Sequence, residues 1–498
     1  MGASRAAASW PAGAGRIALD DGRRAVCRDE LDALVSGEGD WLAAHGERFA
    51  LLADNGLGWA VADLALHRLQ QPCVPLPGFF SPAQMRHALD DAGIDCLVTD
   101  EPARFGELLS GWRAAGVSAR TGLAMFSRRL DPALQRPLPP GTVKVTYTSG
   151  STGSPKGVCL SATQLDAVAQ SVAQATASLG IERHLCLLPL ATLLENITGI
   201  HVPLLAGATS LLPPAAVTGM GYAGLQPDRL LGCIGALRPD SLVLVPELLR
   251  LLVAAAEQGW KVPGSLRFVA VGGAPVSTGL LQRAESAGLP VYEGYGLSEC
   301  ASVVCLNTPG ARRPGSVGRS LPHARVRLDG QGQIMVSGVT LLGYLGDAPR
   351  GPGEEWATGD LGEIDDDGYV YVRGRLGNVF ITSLGRNVAP EWVERELTQQ
   401  EGLRHALVHG EGRPWAAALV SSPDAGIDDA TIERGVAAAN AGLPDYARVR
   451  RWARVPEAFS FENGLLTANG RLRRQEILRR HRSLLDGLYA DATTSTTR

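Results

Sequence analysis

The segment Tyr147 to Gly157, YTSGSTGSPKG, is the densest concentration of chemistry in the chain. Thr148, Ser149, Ser151 and Thr152 supply hydroxyl donors, and Lys156 supplies one positive charge. Gly150 and Gly153 let backbone N–H groups approach phosphate oxygens with no Cβ in the way. Together these groups suit a polyphosphate. The pattern is not a Walker A loop, which ends in Gly-Lys-Ser/Thr, because Pro155 precedes Lys156 and Gly157 follows it. A flexible Ser/Gly linker is the plainer alternative. It fits poorly, because the segment follows directly on Val143-Lys-Val-Thr-Tyr147, whose alternation predicts a strand.

A second stretch, Tyr292 to Glu299, reads YEGYGLSE. Tyr295 stands between Gly294 and Gly296, and an aromatic ring with such small neighbours can lie flat against a purine. Ser298 can donate to a phosphate, and Glu299 can hold Mg²⁺ by oxygen ligation. Glu293 belongs to the same stretch. Without context, a Gly-rich loop with a surface acid would explain it equally well. Gly272-Gly273-Ala274-Pro275 follows an apolar run and by its chemistry alone is a tight turn. The acids Asp365, Asp366 and Asp367 lack the spaced ligands and closing Glu of a cation loop, so they read as a solvated turn.

The elements that must position these residues alternate in kind. Trp59 to Leu69 has a helical apolar period, while Cys96 to Asp100, Ser241 to Pro246 and Leu266 to Gly273 read as buried strands. Such alternation predicts α/β layers with largely parallel sheets. After Pro314 short strands and Gly-rich turns predict a small antiparallel unit, with Asp367-Gly368 at a hairpin corner. Near Arg375 a new unit begins, with Pro390 at a helix start. The expected organisation is a large N-terminal domain over 1–374, including a β subdomain over 310–374. A small α+β lid follows over 375–490, then a disordered tail over 491–498.

The 498 residues allow more than one domain, and 47 basic against 51 acidic side chains give a formal charge of −4. That balance offers no general attraction to nucleic acid or anionic membrane. Eight scattered cysteines with no Cys-x-x-Cys pair fit a reducing cytoplasm. No apolar signal segment opens the chain, and the apolar stretch around 185–212 is broken by Glu195, Asn196 and His201, so buried core is expected there.

The motif YTSGSTGSPKGV resembles the phosphate-loop signature of the adenylate-forming superfamily, which includes acyl-CoA synthetases, peptide-synthetase adenylation domains and beetle luciferases. The other motifs follow in that family's order, and the resemblance spans roughly Phe49 to His481. It implies two half-reactions at one site: acyl-adenylate formation from ATP with Mg²⁺, then transfer to a thiol. Residues carried over by resemblance are Gly273, Ala274 and Pro275 beside the adenine, Ser298 standing where Thr is usual, and Asp360 of TGD on the ribose hydroxyls. Arg375 of the Gly-Arg motif falls near the ribose, and Gly377 occupies the hinge position usually held by Asp or Lys. Gly385 would let a pantetheine arm pass. Near the C-terminus Gly470-Arg471 stands where Gly-Lys is usual, so Arg471 is the expected carboxylate and α-phosphate ligand. Arg473 and Arg474 are expected to face solvent or the phosphates of a carrier or CoA.

For the acid, LPLATLLENITG (188–199) lacks the Asp that amino-acid activators use against an amine. It keeps Leu188, Pro189, Leu190 and Glu195 of the long-chain pattern, with Thr192 in place of His. RPGSVGRSLPH and GRNVAP also resemble the fatty-acyl branch. A medium- or long-chain fatty acid with CoA as acceptor is the expectation. The alternatives are an aryl acid, and the phosphopantetheine of an acyl carrier protein. A degenerate nucleotide- or acyl-adenylate-binding protein without turnover is the non-enzyme alternative. The Arg at 471 favours that reading, and the retained Lys156, Glu299, Asp360 and Arg375 oppose it.

Overall fold

The computed structural model describes residues 15–490, apart from 105, 107, 132–134, 149–155, 222–223, 352, 384–385, 423–425 and 468–469. Two large sheets build the first three quarters of the chain. One has eight strands, in the order Gly343–Tyr344, Lys156–Ser161, Thr142–Thr148, Cys73–Pro75, Phe49–Leu52, Cys96–Thr99, Ala124–Ser127 and Arg113–Val117. The other has nine and runs from Arg319–Ser320 through Ser302–Leu306, Val291–Leu297, Phe268–Val271, Ser241–Leu244, Arg183–Leu185, Thr209–Leu211 and Ile17–Asp20 to Ala25–Cys27. Their centres are parallel and their edges antiparallel. Strands such as Phe49–Leu52 and Ser241–Leu244 are buried at every residue, as expected when helices cover both faces of a parallel sheet.

The helix Leu57–Leu69 is buried at every position from Leu57 to Leu66 except Gly58. It shares one apolar cluster with Phe49, Leu51 and Val98 of the first sheet and Leu19 of the second. A helix apolar on all sides belongs between layers, and this one lies between the sheets. The polar face of Thr142–Thr148 is also buried: Lys144 is 2% exposed, so the alternation there does not mark a solvent face.

Downstream, four antiparallel strands follow, Ala324–Leu328, Gln333–Gly338, Trp356–Ile364 and Val370–Arg375. The last two meet at the turn around Asp367-Gly368, where Gly368 has φ +81°. Arg313 pairs with both Asp365 and Asp367, which holds that acidic turn. The C-terminal unit has three strands, His405–His409, Ala416–Ser421 and Val449–Arg454, packed with the helices Pro390–Leu397 and Asp429–Ala441. The basic end forms two short helices, Arg474–Arg480 and Arg482–Gly487. Arg474 departs from the solvent-facing expectation. It reaches Glu394 at 2.5 Å and the carbonyl of Val408 at 2.7 Å, because the buried Glu394 carboxylate needs a counter-charge. Residues 491–498 lie outside the described residues. All eight cysteines are free, and among the described residues no helix is long and apolar enough to cross a membrane.

Gly318, at φ +88°, links two strands of the larger sheet, and a Cβ there would lie 2.1 Å from the carbonyl carbon of Leu306. Gly318→Ala should therefore destabilise the fold by about 3 kcal/mol or more in urea unfolding. Gly330→Ala, whose Cβ would meet nothing within 4 Å, should change it by less than about 1 kcal/mol.

Candidate active site

Asp360 lies in the strand Trp356–Ile364, and its pairing with Arg375 on the neighbouring strand sets these two residues opposite each other. One carboxylate oxygen accepts from Arg375 Nε at 2.7 Å, and the other accepts from the Tyr295 hydroxyl at 2.5 Å. Its backbone N–H donates to Thr358 Oγ1 at 3.0 Å. Burial raises the pKa of Asp360, and Arg375 then Tyr295 oppose that shift. Tyr295 thus has a fixed orientation, its hydroxyl tied to Asp360 and its body packed beside Cys300 and Val336.

A second group forms around Tyr344, which the sequence reading did not single out. Its hydroxyl donates to Glu299 Oε1 at 3.0 Å, and Lys156 Nζ lies 5.2 Å from its ring centre. Trp356 meets the same ring edge-on at 5.9 Å. The strand Gly343–Tyr344 reaches this position by pairing with Lys156–Ser161, with Tyr344 opposite Val158. Its only sequence signal was an aromatic after a glycine, with no titratable neighbour except Asp347 nearby. The Glu299 carboxylate offers hard oxygen, the donor type that Mg²⁺ takes. Thr148 and Lys156 form the last strand pair before the segment between them. Ser149, Gly150, Ser151, Thr152 and Gly153 lie outside the described residues, as do Gly385 and the side chain of Thr148.

Arg471 arrives from the C-terminal unit. Its Nε donates to the carbonyl of Gly273 at 2.6 Å, across 198 residues of chain. The residue is solvent-exposed. Burial and then Arg375 lower its pKa, and Asp360, Tyr295 and Glu299 oppose that. The guanidinium stays charged regardless. Lys156, Arg375 and Arg471 gather near Asp360 and Glu299, with Glu391 beside Arg375, so cations and acids both line the site.

The glycines serve different ends. Gly273 needs its freedom at φ +83°, where the chain leaves the strand Phe268–Val271. Ala274 is half-buried and Pro275 exposed, and Ser277 then caps the next helix. Gly272 would bring a Cβ to 3.1 Å from the carbonyl of Gly294, so the two motif loops touch. At Gly296 a Cβ would lie 1.6 Å from the Ser302 carbonyl. Strand pairing alone demands that glycine, whatever ligand it borders. Ser298 opens a short 3-10 turn and is half-buried. Glu293 is 8% exposed, and burial pushes its pKa up to about 8, so it is mostly uncharged at neutral pH.

A profile for AMP-binding enzymes matches residues 6–346, and one for the AMP-binding enzyme C-terminal domain matches 378–493. A long-chain-fatty-acid–CoA ligase of Mycobacterium bovis is 25% identical, over 89% of this chain and 88% of its own. A feruloyl-CoA synthase of an Amycolatopsis species is 29% identical, over 95% and 98%. A 2-succinylbenzoate–CoA ligase of Bacillus subtilis is 27% identical, over 80% and 83%. Among solved structures, an anthranilate CoA ligase in complex with anthranoyl-AMP superposes with TM-score 0.78 at 20% identity, covering 95% of this chain and 96% of that one. An amide bond synthetase from Marinactinospora thermotolerans gives TM-score 0.74 at 25% identity, covering 93% and 96%.

Because the raised pKa favours the protonated form of Glu293 in the fold, its contribution is fully present below about pH 4.5 and is lost as pH rises through about 8. Glu293→Gln should flatten the fall in melting temperature between pH 5 and 8 that the native chain shows. A second outcome concerns Tyr344→Phe, which removes the hydroxyl contact to Glu299. It should slow acid-dependent ATP–pyrophosphate exchange by roughly tenfold, with little change in melting temperature.

Proposed function

As a member of the AMP-binding enzyme family, the chain is an ATP-dependent, AMP-forming acid–thiol ligase, and we propose that it acts on a medium- or long-chain fatty acid with CoA as acceptor. The observation that carries the choice of acid is the fate of the stretch 188–199. Leu193 and Leu194 pack into apolar clusters, Leu194 into two of them. The one acid of the stretch, Glu195, is fully buried beside His184 at 3.8 Å and close to Cys186, so it is not available to an amine. An acyl chain buried among such apolar side chains would gain about 0.8 kcal/mol per CH₂. The feruloyl-CoA synthase relative, at 29% identity, favours an aryl acid as the second reading.

In the first half-reaction an oxygen of the acid carboxylate bonds to the α-phosphorus. The α–β phosphoanhydride bond breaks, and pyrophosphate leaves with the electron pair. Lys156 neutralises the departing charge. Arg471 spans from the Gly273 carbonyl to the α-phosphate and the acid, its planar fork presenting several donors at once. Asp360 accepts the ribose hydroxyls, with Arg375 and Tyr295 fixing its orientation. Glu299 would hold Mg²⁺, which when bound supplies positive charge beside the phosphates. No covalent enzyme intermediate is required, so rate comes from placement and electrostatics. In the second half-reaction the thiolate attacks the acyl carbon and AMP leaves. In this reading the lid over 375–490 turns about Gly377, which is exposed and whose Cβ position is empty, to admit the pantetheine arm. The arm of an acyl carrier protein offers the same thiol, and the acceptor is tested together with the acid.

AMP release across a panel of fatty and aryl acids, with CoA or holo carrier protein added, decides the substrate. Octanoate to palmitate with CoA should lead, and a clear preference for benzoates or cinnamates would transfer the assignment to the aryl reading. Arg471→Ala should cut ATP–pyrophosphate exchange by at least about 100-fold while sparing thioester formation from supplied acyl-adenylate. Unchanged exchange would remove Arg471 from the mechanism.

A further inference from the structure

Lys144 lies on the strand that ends at Thr148, and its ammonium is 2% exposed. Nζ donates to Asp63 Oδ1 at 2.6 Å and to Asn196 Oδ1 at 2.6 Å. Asn196 Nδ2 donates to Asp63 Oδ2 at 2.8 Å and closes the ring of contacts. Asp63 is 1% exposed and Asn196 fully buried. Burial alone would raise the Asp63 pKa, but Lys144 and then His201 reverse the shift, so the carboxylate stays ionised. His201 Nε2 is 3.7 Å from Asp63 Oδ2, and the His201 ring meets His67 edge-on at 4.9 Å.

The three members of the ring come from separate elements. Asp63 is on the helix between the sheets. Lys144 precedes the Thr148–Lys156 pair by four residues on the same strand face, roughly 13 Å at 3.3 Å per residue. Asn196 opens the π-helical turn Asn196–His201, which continues the acid-side stretch. Single π-turns inside α-helices recur at functional sites, since the extra residue redirects the side chains that follow. A buried ion pair is weak as a stabiliser, because desolvation offsets most of its attraction. What such a pair does supply is a preferred spacing, since its contacts are satisfied in one arrangement only.

We propose that Lys144, Asp63 and Asn196 are positioning residues that fix the distance between the nucleotide-side strand and the acid-side turn. Resting on the adenylation reading above, they make the acid carboxylate meet the α-phosphate in line. The contacts at risk are those of the Asn196 amide, to Lys144 and to Asp63. Asn55 anchors the start of the acid-side stretch independently, donating to the Leu188 carbonyl at 2.9 Å and accepting from Leu190 N at 2.8 Å. Loss of the Asn196 amide therefore loosens the far end of the stretch while the near end stays attached.

The test uses the full chain and ATP–pyrophosphate exchange with the preferred acid. Asn196→Ala leaves the Lys144–Asp63 contact in place and removes the Asn196 contacts to both residues. Its kcat should fall at least tenfold, with KM for ATP and for the acid each within about threefold of the native values. The paired change Asp63→Asn with Lys144→Met, which leaves no unpaired buried charge, should reproduce that kcat loss and carries the test if the first variant does not fold. A lower melting temperature with kcat within twofold of native would reduce the ring to a structural role and overturn the proposal. A rise in KM without loss of kcat would do the same. Native protein without acid-dependent exchange would instead point to failure of the adenylation reading itself.

Discussion

The Asp360 carboxylate, with Arg375 on one oxygen and Tyr295 on the other, is the interaction from which the rest of the cleft is organised. It joins three stretches that are far apart in sequence: the Gly-rich stretch at 292–299, the Thr-Gly-Asp strand, and the residue that ends the four-stranded sheet. Burial works against its charge, and two directed donors restore it. Because both oxygens are engaged in fixed directions, the carboxylate is oriented before a ligand arrives. That orientation is what electrostatic catalysis needs, since no reorganisation is left for the reactive moment.

Charge around Asp360 is arranged with the same economy. Arg471 crosses from the C-terminal unit to a backbone carbonyl at Gly273, and Arg404 pairs with Glu247 of the large domain. These contacts join the C-terminal unit to the larger N-terminal part of the chain. A guanidinium suits such a backbone contact better than an ammonium when a second partner is also to be bound, because its planar fork presents several donors.

Most of the architecture was legible from local patterns. The strands at 142–148 and 241–244, the hairpin at Asp367-Gly368 and the helix start at Pro390 follow from alternation and turn chemistry over a few residues. Asp360, Arg375, Tyr295, Glu299 and Arg471 converge as their motif order implied. Contacts between distant segments were illegible. Tyr344 meets Glu299 and Lys156 only because a two-residue strand pairs beside Lys156–Ser161. Lys144 read as the polar side of a strand, yet a helix and a π-turn from elsewhere cover it. Arg474 read as a surface cation, but a buried Glu394 claims it. In each case the deciding partner is tens of residues away, where periodicity carries no information.

The most direct measurement of the central claim omits the thiol altogether. Protein, ATP, Mg²⁺ and a fatty acid are mixed at stoichiometric enzyme, and the bound product is released and weighed by mass spectrometry. An acyl-AMP of the acid's expected mass should accumulate, and adding CoA should convert it to the acyl thioester with release of AMP. Absence of any acid-dependent adenylate across fatty and aryl acids, from protein shown to be folded, would contradict the account.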